Sequence, residues 1–427
     1  MRKVIQMRKV IHRIRWSGSL PFSGAPILAA LAFSIAACDA GSGNASGPTV
    51  RDSAGVQIVE NSEHAWTEGT AWRLAGEPLL DIGVLDGDPE YQLFRVGSAV
   101  KLSDGRIVVA NGGTHELRFY DPNGVHLLSV GRQGGGPGEF GELMWVRALP
   151  GDTLLTYDWR NRRLSFFDAG GNFVRSFQLQ FLSDMGGFST IIAPFGDGSL
   201  LVGVQPFLIG EEIRDGLRRD TAVYLHCDRD GAVLDTLGRF PGGEVYLRTQ
   251  GGEETSVMAS ARAFGRFPQH AVYEDGFYFS TTDSYEVGFY SSAGRLVRIV
   301  RRDQPNLQVT AEDIERYKEE RLADAGGDGP PRDFLEQSLA HMPFPEQFPA
   351  HASLIVDAVG NLWVEEYLRP GVERPLWTVF DSGGRMLGVV ETPERFTIHQ
   401  IGRDFVLGRW TDEMDVEHVR LYELIKE

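Results

Sequence analysis

Few residue groupings in this chain could do chemistry on a small molecule. The stretch SVGRQGGGPGEF (129–140) places glycine at 134, 135, 136 and 138, and a glycine-rich turn can aim backbone N–H groups at an anion. A phosphate-binding loop opens onto a helix with Lys-Ser/Thr beside it. Here LMWVRALPGD follows, which reads as a strand, so a connector fits better than a phosphate cradle. Asp86, Asp88 and Glu90 alternate like calcium ligands but lack the Gly and distal Glu of an EF-hand loop; they read as a polar connector. G-x-S-x-G, H-E-x-x-H and C-x-x-C are absent. What remains is His270 (FPQHAVYEDG), His351 (FPAHASLIVDAVG) and His399 (FTIHQIGRD), each in or near a strand-forming run. Three converging imidazoles would hold Zn²⁺ with an open fourth position. Their offsets from the following turns differ, however, and a slip of one residue sends a strand side chain to the opposite face. Locally satisfied histidines are therefore preferred, and no cofactor is favoured.

The elements that would position these residues recur along the chain. One pattern is a tight turn entering a strand: SDGRIVVA (103–110), PGDTLLTY (150–157), GDGSLLVG (196–203), EDGFYFS (274–280), AVGNLWV (358–364) and IGRDFVLG (401–408). A second follows in most copies as strand, turn, strand: LRFYDPNGVHLLSVG (117–131), LSFFDAGGNFVRSF (164–177), VYLHCDRDGAVLDTLG (223–238), VGFYSSAGRLVRIV (287–300) and WTVFDSGGRMLGVV (377–390). Gly or Asp stands where a hairpin turn wants positive φ, and β-branched or aromatic residues follow. The sixth copy, VRLYELIKE (419–427), ends before its turn, and its missing strand is expected within residues 77–94. A circle closed by strands from both ends hides its edges. The fold expected is all-β: a six-bladed β-propeller closed by an N-terminal strand, with a short helical insert. LGRFPGGEVY (237–246) reads as a looser copy of the 131–140 connector.

The D-G hairpin, the F-Y-D-x-x-G hairpin and the G-x-x-G-x-G-P-G-E-F connector resemble those of NHL-type six-bladed β-propellers, in particular lipid-anchored bacterial propellers of undefined function. The resemblance covers most of residues 55–427, and the GH…WD pairs of WD40 blades are absent. Propellers of this kind include a zinc-dependent lyase with three histidines, which implies a use for His270, His351 and His399. They also include lactonases that hold Ca²⁺ with Asp, Asn and Glu. Inserts at 205–220 and 303–348 depart from the pattern. In the second, Thr310-Ala311-Glu312-Asp313 resembles a capping box opening a helix to about Leu322, and Pro331 starts another containing Phe334, Leu335 and Leu339. The pair would form a lid, a docking surface or an apolar plug.

In a four-stranded blade the short first and third turns share one face, read here as structural. The second loops and the blade-to-blade connectors share the other, where irregular sequence gathers. DWRNRR (158–163) offers Trp159, Arg160 and Arg162; IRDGLRRD (213–220) offers Arg219; TDSYE (282–286) offers Tyr285; EEYLRPGVER (365–374) offers Glu366, Tyr367 and Arg369; RWTDEMD (409–415) offers Trp410. Arg and Trp are enriched in binding hot spots. Each loop alone reads as solvated surface, and their convergence raises a binding face for a protein, peptide or glycan.

The chain's 427 residues carry 42 Lys+Arg against 59 Asp+Glu. Residues 1–37 read as a signal peptide, with six basic residues before the apolar run APILAALAFSIAA (25–37). MRKVI occurs at both 1 and 7, so either Met1 or Met7 could start translation. Ile35-Ala36-Ala37-Cys38 resembles the lipobox of bacterial lipoproteins, which implies lipidation of Cys38. Residues 38–54 then form a Gly/Ser-rich tether and 55–427 the propeller. Removing residues 1–37 takes away six positive charges and no negative one, moving the net charge from −17 to −23. That balance argues against nucleic acid as a partner. With Cys38 lipidated, Cys227 is the last thiol and no intrachain disulfide can form. The expectation is an exported protein anchored at the outer membrane or the periplasmic face of the inner membrane. It acts as a binding or scaffold module, with a metal-dependent hydrolase or lyase as the alternative and a passive spacer as another.

Overall fold

The hairpin signals act through a repeated local device. Asp121, Asp168, Asp228 and Asp381 each turn one carboxylate oxygen onto the N–H groups two and four residues ahead. The glycine three positions on (Gly124, Gly171, Gly231, Gly384) takes the positive φ that closes the turn. The computed structural model describes residues 47–67, 69–179, 181, 187–206, 215–250, 256–323 and 332–426. Within these, the strands form six sheets, and each sheet coincides with one repeat.

The first sheet runs Val96–Lys101, Ile107–Asn111, Glu116–Tyr120 and His126–Val130; the second, Leu143–Leu149, Thr153–Asp158, Arg163–Phe167 and Phe173–Gln178. The third comprises Gly187–Pro194, Leu200–Pro206, Gly216–Cys227, Val233–Gln250 and Ser256–Ala261. The fourth starts with Gln269–Tyr273, Gly276–Ser280, Glu286–Ser291 and Leu296–Arg302, and the fifth with His351–Val356, Leu362–Glu366, Leu376–Phe380 and Met386–Glu391. The sixth takes Phe396–Ile401, Phe405–Thr411 and Glu417–Ile425 from the C-terminus.

Burial follows the same order. Six apolar clusters each lie between two consecutive sheets, from Phe119 against Phe167 to Leu407 against Ile107. The last cluster joins the sixth sheet to the first, so the sheets form a ring, and the fold is a β-propeller. Closure comes from the N-terminus as expected. Leu80–Ile82 pairs antiparallel with Glu417–Ile425 through Ile82 to Val419 and Leu80 to Leu421. Asp81 fastens it by accepting from His418 Nδ1 at 2.8 Å and Arg420 Nε at 2.9 Å.

Three features depart from the sequence-based expectation. The tether was expected to reach residue 54, but Thr49–Ser53 is already a strand, paired with Val56–Asn61. Val56–Asn61 in turn adds in parallel to Leu296–Arg302, extending the fourth sheet outward. Buried Asn61 locks it there: its Nδ2 donates to the carbonyls of Arg301 and Gly384, each at 3.0 Å, and its Oδ1 accepts from Met386 N at 2.8 Å. The stretch 237–246 is no connector. It lies inside the 18-residue strand Val233–Gln250, whose register shifts against Gly216–Cys227 absorb the Pro and Gly residues. The helices of the insert form at Ala311–Ala323 and Arg332–His341, with Thr310 and Asp313 exchanging capping bonds. No helix among the described residues is long and apolar enough to cross a membrane. Residues 1–46, including Cys38 and the signal segment, lie outside those described.

Asn61→Ala would strand three buried backbone groups at the joint between the fourth and fifth sheets. A loss of about 3 kcal/mol is expected in denaturant unfolding, since each unsatisfied buried group costs roughly 1–3 kcal/mol.

Candidate functional site

The glycine-rich connector satisfies its own polar groups. Gly136 N donates to Glu139 Oε2 at 2.7 Å, and Gly134 N donates to the Phe140 carbonyl at 3.1 Å. From the second sheet, buried Arg163 donates to the carbonyls of Gly135 and Glu139, and Asn161 Nδ2 to that of Gly134 at 3.0 Å. Fully buried Asp158 receives Gly141 N at 2.8 Å and Glu142 N at 3.0 Å. The N–H groups of Gly134, Gly136, Gly141 and Glu142 are taken by a carbonyl and two carboxylates of the chain itself, so the segment is a clamped connector.

Of the nine expected face residues, six act as ties inside the ring. Arg219 grips both oxygens of Asp283 at 2.8 and 2.9 Å and the Gly242 and Thr281 carbonyls, which joins the third sheet to the fourth. Tyr285 is buried, and burial next to the Glu366 charge raises its pKa. Its hydroxyl donates to Glu366 Oε1 at 2.9 Å, where Arg302 Nη1 at 2.7 Å and the Thr378 hydroxyl at 2.5 Å also donate. Tyr367 stacks on Phe348 of the insert at 5.3 Å, and burial pushes its hydroxyl up to about 12. Arg369 reaches Asp313 at the start of the first helix at 2.5 Å. Burial opposes the ionised Asp313, but bonds from Thr310 and Arg369 outweigh it and hold its pKa below the usual carboxylate range. Charged side chains beside the packed insert thus find partners within the fold. Trp410 is likewise covered, with the Arg420 guanidinium 3.3 Å above its ring.

Of the remaining candidates, Arg160 stands at a cleft of about 630 Å³ where the sixth, first and second sheets begin their inner strands, and Trp159 and Arg162 share its turn. Arg160 lines it beside Arg95, Glu142 and Arg409. Arg409 is paired with Glu417 at 3.0 Å, and the Arg160 side chain has no ion-pair partner among the described residues. Phe94, Met144 and Trp159 expose 56%, 41% and 41% of their surfaces around this end. Arg162 is also exposed, with positive φ in the same turn. The described residues of the insert contribute none to this cleft. It packs instead on Phe264, whose ring meets Tyr317 at 5.0 Å and Phe348 at 4.7 Å.

At the other end of the channel, where the inner strands turn outward, a second cavity of about 580 Å³ holds His270, His399 and Arg147. A bulge between Ile398 and Gln400 leaves His399 without a partner in its ladder and re-aims its ring. Its Nδ1 accepts from Ala99 N at 2.9 Å, so the neutral ring carries its proton on Nε2. Burial, with the charges of Arg147 and Arg409, lowers the His399 pKa to about 3. His270 drops to about 4 by burial alone, and its Nδ1 has no partner. His351 does not join them. It is 1% exposed and bonds Ser280 Oγ through Nε2 at 2.8 Å, tying the fifth sheet to the fourth. Two of the three imidazoles thus share a cavity, and among the described residues no group of three His, Cys, Asp or Glu is placed to hold a metal.

Sequence reasoning missed Arg147, which sits in a strand of ordinary composition and shows its position only once the ring closes. Cys227 is fully buried, and burial beside Asp228 pushes its thiol up to about 12.

No family model matches the chain, and no curated protein matches it. Solved structures do. A Bacteroides fragilis protein named as an exported protein is 11% identical over 87% of this chain and 99% of its own, with a TM-score of 0.47. A calcium-binding regucalcin from Agrobacterium tumefaciens is 13% identical over 83% and 96%, with a TM-score of 0.38. Virginiamycin B lyase from Staphylococcus aureus, solved with quinupristin, is 9% identical over 80% and 83%, with a TM-score of 0.37.

The three histidines set a pH dependence. Their folded pKa values lie below the unfolded value near 6.5, so the unfolded chain binds more protons as pH falls. Their contribution to stability is fully present above pH 7 and should be lost as pH falls from about 6.5 toward 4. Thermal unfolding across that window should fall progressively, and His351→Gln should reduce the slope.

Proposed function

We propose that this protein is a lipid-anchored, NHL-type propeller of the bacterial envelope that binds a protein, peptide or glycan at the inner-strand end of its channel. The observation that supports this is the cleft lined by Arg160, Phe94 and Met144, where Phe94, Met144 and the adjacent Trp159 remain exposed while Arg409 is paired with Glu417. Exposed aromatics gathered around a concavity beside an unpaired guanidinium match the composition of binding hot spots. The alternative, a hydrolase or lyase with Zn²⁺ or Ca²⁺ in the channel, would need a third ligand beside His270 and His399, because His351 is committed to Ser280.

A photo-crosslinking residue at Met144 tests the face in living cells, with one at Val125 (54% exposed, in a short hairpin turn) as control. A discrete crosslinked partner from position 144 alone, lost with Trp159→Ala plus Arg160→Glu, is expected. Equal or absent crosslinking from both positions would favour a spacer. The anchor is tested separately: Cys38→Ser should abolish incorporation of labelled palmitate and release the protein from the membrane pellet.

A further inference from the structure

The cavity at the turn end of the channel has a chemistry of its own. The Arg147 guanidinium enters it from the second sheet, where water can reach it although the inner strands surround it. Its enclosure lowers its pKa, yet an arginine stays charged. Its polar contact among the described residues is its own neighbour, the Val146 carbonyl, at a long 3.4 Å. Among the described residues no carboxylate pairs with it. The one acidic side chain lining the cavity, Asp357, spends both oxygens within its own turn, on Val359 N, Asn361 N and Nδ2, and Trp363 Nε1.

The groups beside Arg147 are neutral donors. His399 accepts through Nδ1 and so presents Nε2–H, and Gln400 accepts Lys101 N through Oε1 at 2.7 Å, which leaves its NH₂ group free to donate. Elsewhere in this molecule arginines find partners: Arg118, Arg163, Arg219, Arg262, Arg302 and Arg369 all reach carboxylates or carbonyls. Arg147 is exposed to channel water, and besides that carbonyl its guanidinium lies over the Trp145 ring, 5.8 Å from the ring centre, so its donors are left to the cavity.

We infer that this cavity binds an amphipathic monocarboxylate, its carboxylate held by the Arg147 fork with His399 Nε2–H and the Gln400 amide, and its apolar body against Trp145, Ile192, Val272 and Leu354. One permanent cation among neutral donors balances a single negative charge. A phosphate dianion would bring a second charge into an enclosed space with no second cation to meet it. The site lies at the opposite end of the channel from the proposed partner-binding cleft and does not depend on it.

The test is calorimetric titration of the purified full chain with 3-phenylpropionate, with its neutral amide and inorganic phosphate as comparisons. Saturable one-site binding of the acid at millimolar or lower concentration is expected, with at least a tenfold loss for the amide and for Arg147→Met. Arg147→Lys keeps the charge without the fork and should fall between. Arg160→Glu should leave this binding unchanged, which separates it from the face reading. Because Arg147 is exposed to channel water, Arg147→Met should leave Tm within about 2 °C. Binding that is absent, equal in Arg147→Met or stronger for phosphate overturns the inference. So does a Tm that falls well beyond that on substitution, which would mark Arg147 as a structural residue.

Discussion

The whole arrangement depends on closure of the ring by Leu80–Ile82 against the C-terminal strand. Each of the six apolar clusters needs a sheet on both sides, and a sheet between two clusters must be apolar on both faces. If the sixth sheet lacked its outer strand, Val419 and Leu421 would border an open edge, and the cluster shared with Ile107 and Tyr120 would lose a wall. Partners more than three hundred residues apart must therefore meet before any local unit is fully buried. The ion pairs of Asp81 with His418 and Arg420 add orientation to that meeting more than energy, since partly exposed pairs contribute little.

A ring fixes distances to its axis, and this decides what its polar residues can do. Charged residues on loops next to a packed neighbour are drawn into ties. Arg219 with Asp283, and Arg302 with Glu366 and Tyr285, hold adjacent sheets, while Arg369 with Asp313 pins the helical insert. Such bonds set the angle between sheets, and their cost is offset because each buried charge meets an opposite one. The same residue types in a region without insert or neighbour stay open. That is the situation of Arg160 and Trp159 beside the clamped connector, which is too rigid and too well bonded to fold over them.

The repeats made the ring legible in the sequence. Asp-x-x-Gly hairpins carry their own turn chemistry, and period-two apolar runs of five or six residues leave little choice but strands. The N-terminal closing strand and the Thr310 capping box were readable for the same reason: each is a local signal. Parallel addition of Val56–Asn61 to the fourth sheet was not readable, because Asn61 finds its three partners more than two hundred residues away. The strand Val233–Gln250 hid behind FPGG, whose turn-like composition was absorbed by bulges once a long partner lay alongside. Side-chain direction was the weakest inference. His270, His351 and His399 look alike in sequence, yet a bulge turns His399 one way and Ser280 holds His351 another. A difference of one residue in register separates a cavity wall from a structural tie.

The distribution of unsatisfied groups carries the functional argument further than any motif does. A folded chain pairs nearly all its buried polar atoms, so the exceptions are informative. Here buried ring nitrogens without a partner include His115 Nδ1, on the cleft at one end of the channel, and His270 Nδ1, in the cavity at the other. Arg160 and Arg147 occupy the same two places, and among the described residues neither forms an ion pair with a carboxylate. The loops between these ends are over-bonded by comparison, with Asp158 alone accepting from Gly141, Glu142 and Asn161. Closure of the ring leaves its inner strands with one edge facing the axis and no further strand to pair with. Side chains such as His399 and Gln400 cap part of that edge, accepting from Ala99 N and Lys101 N. The two proposed sites thus both fall at the channel ends, where closure of the ring leaves inner-strand side chains open to solvent.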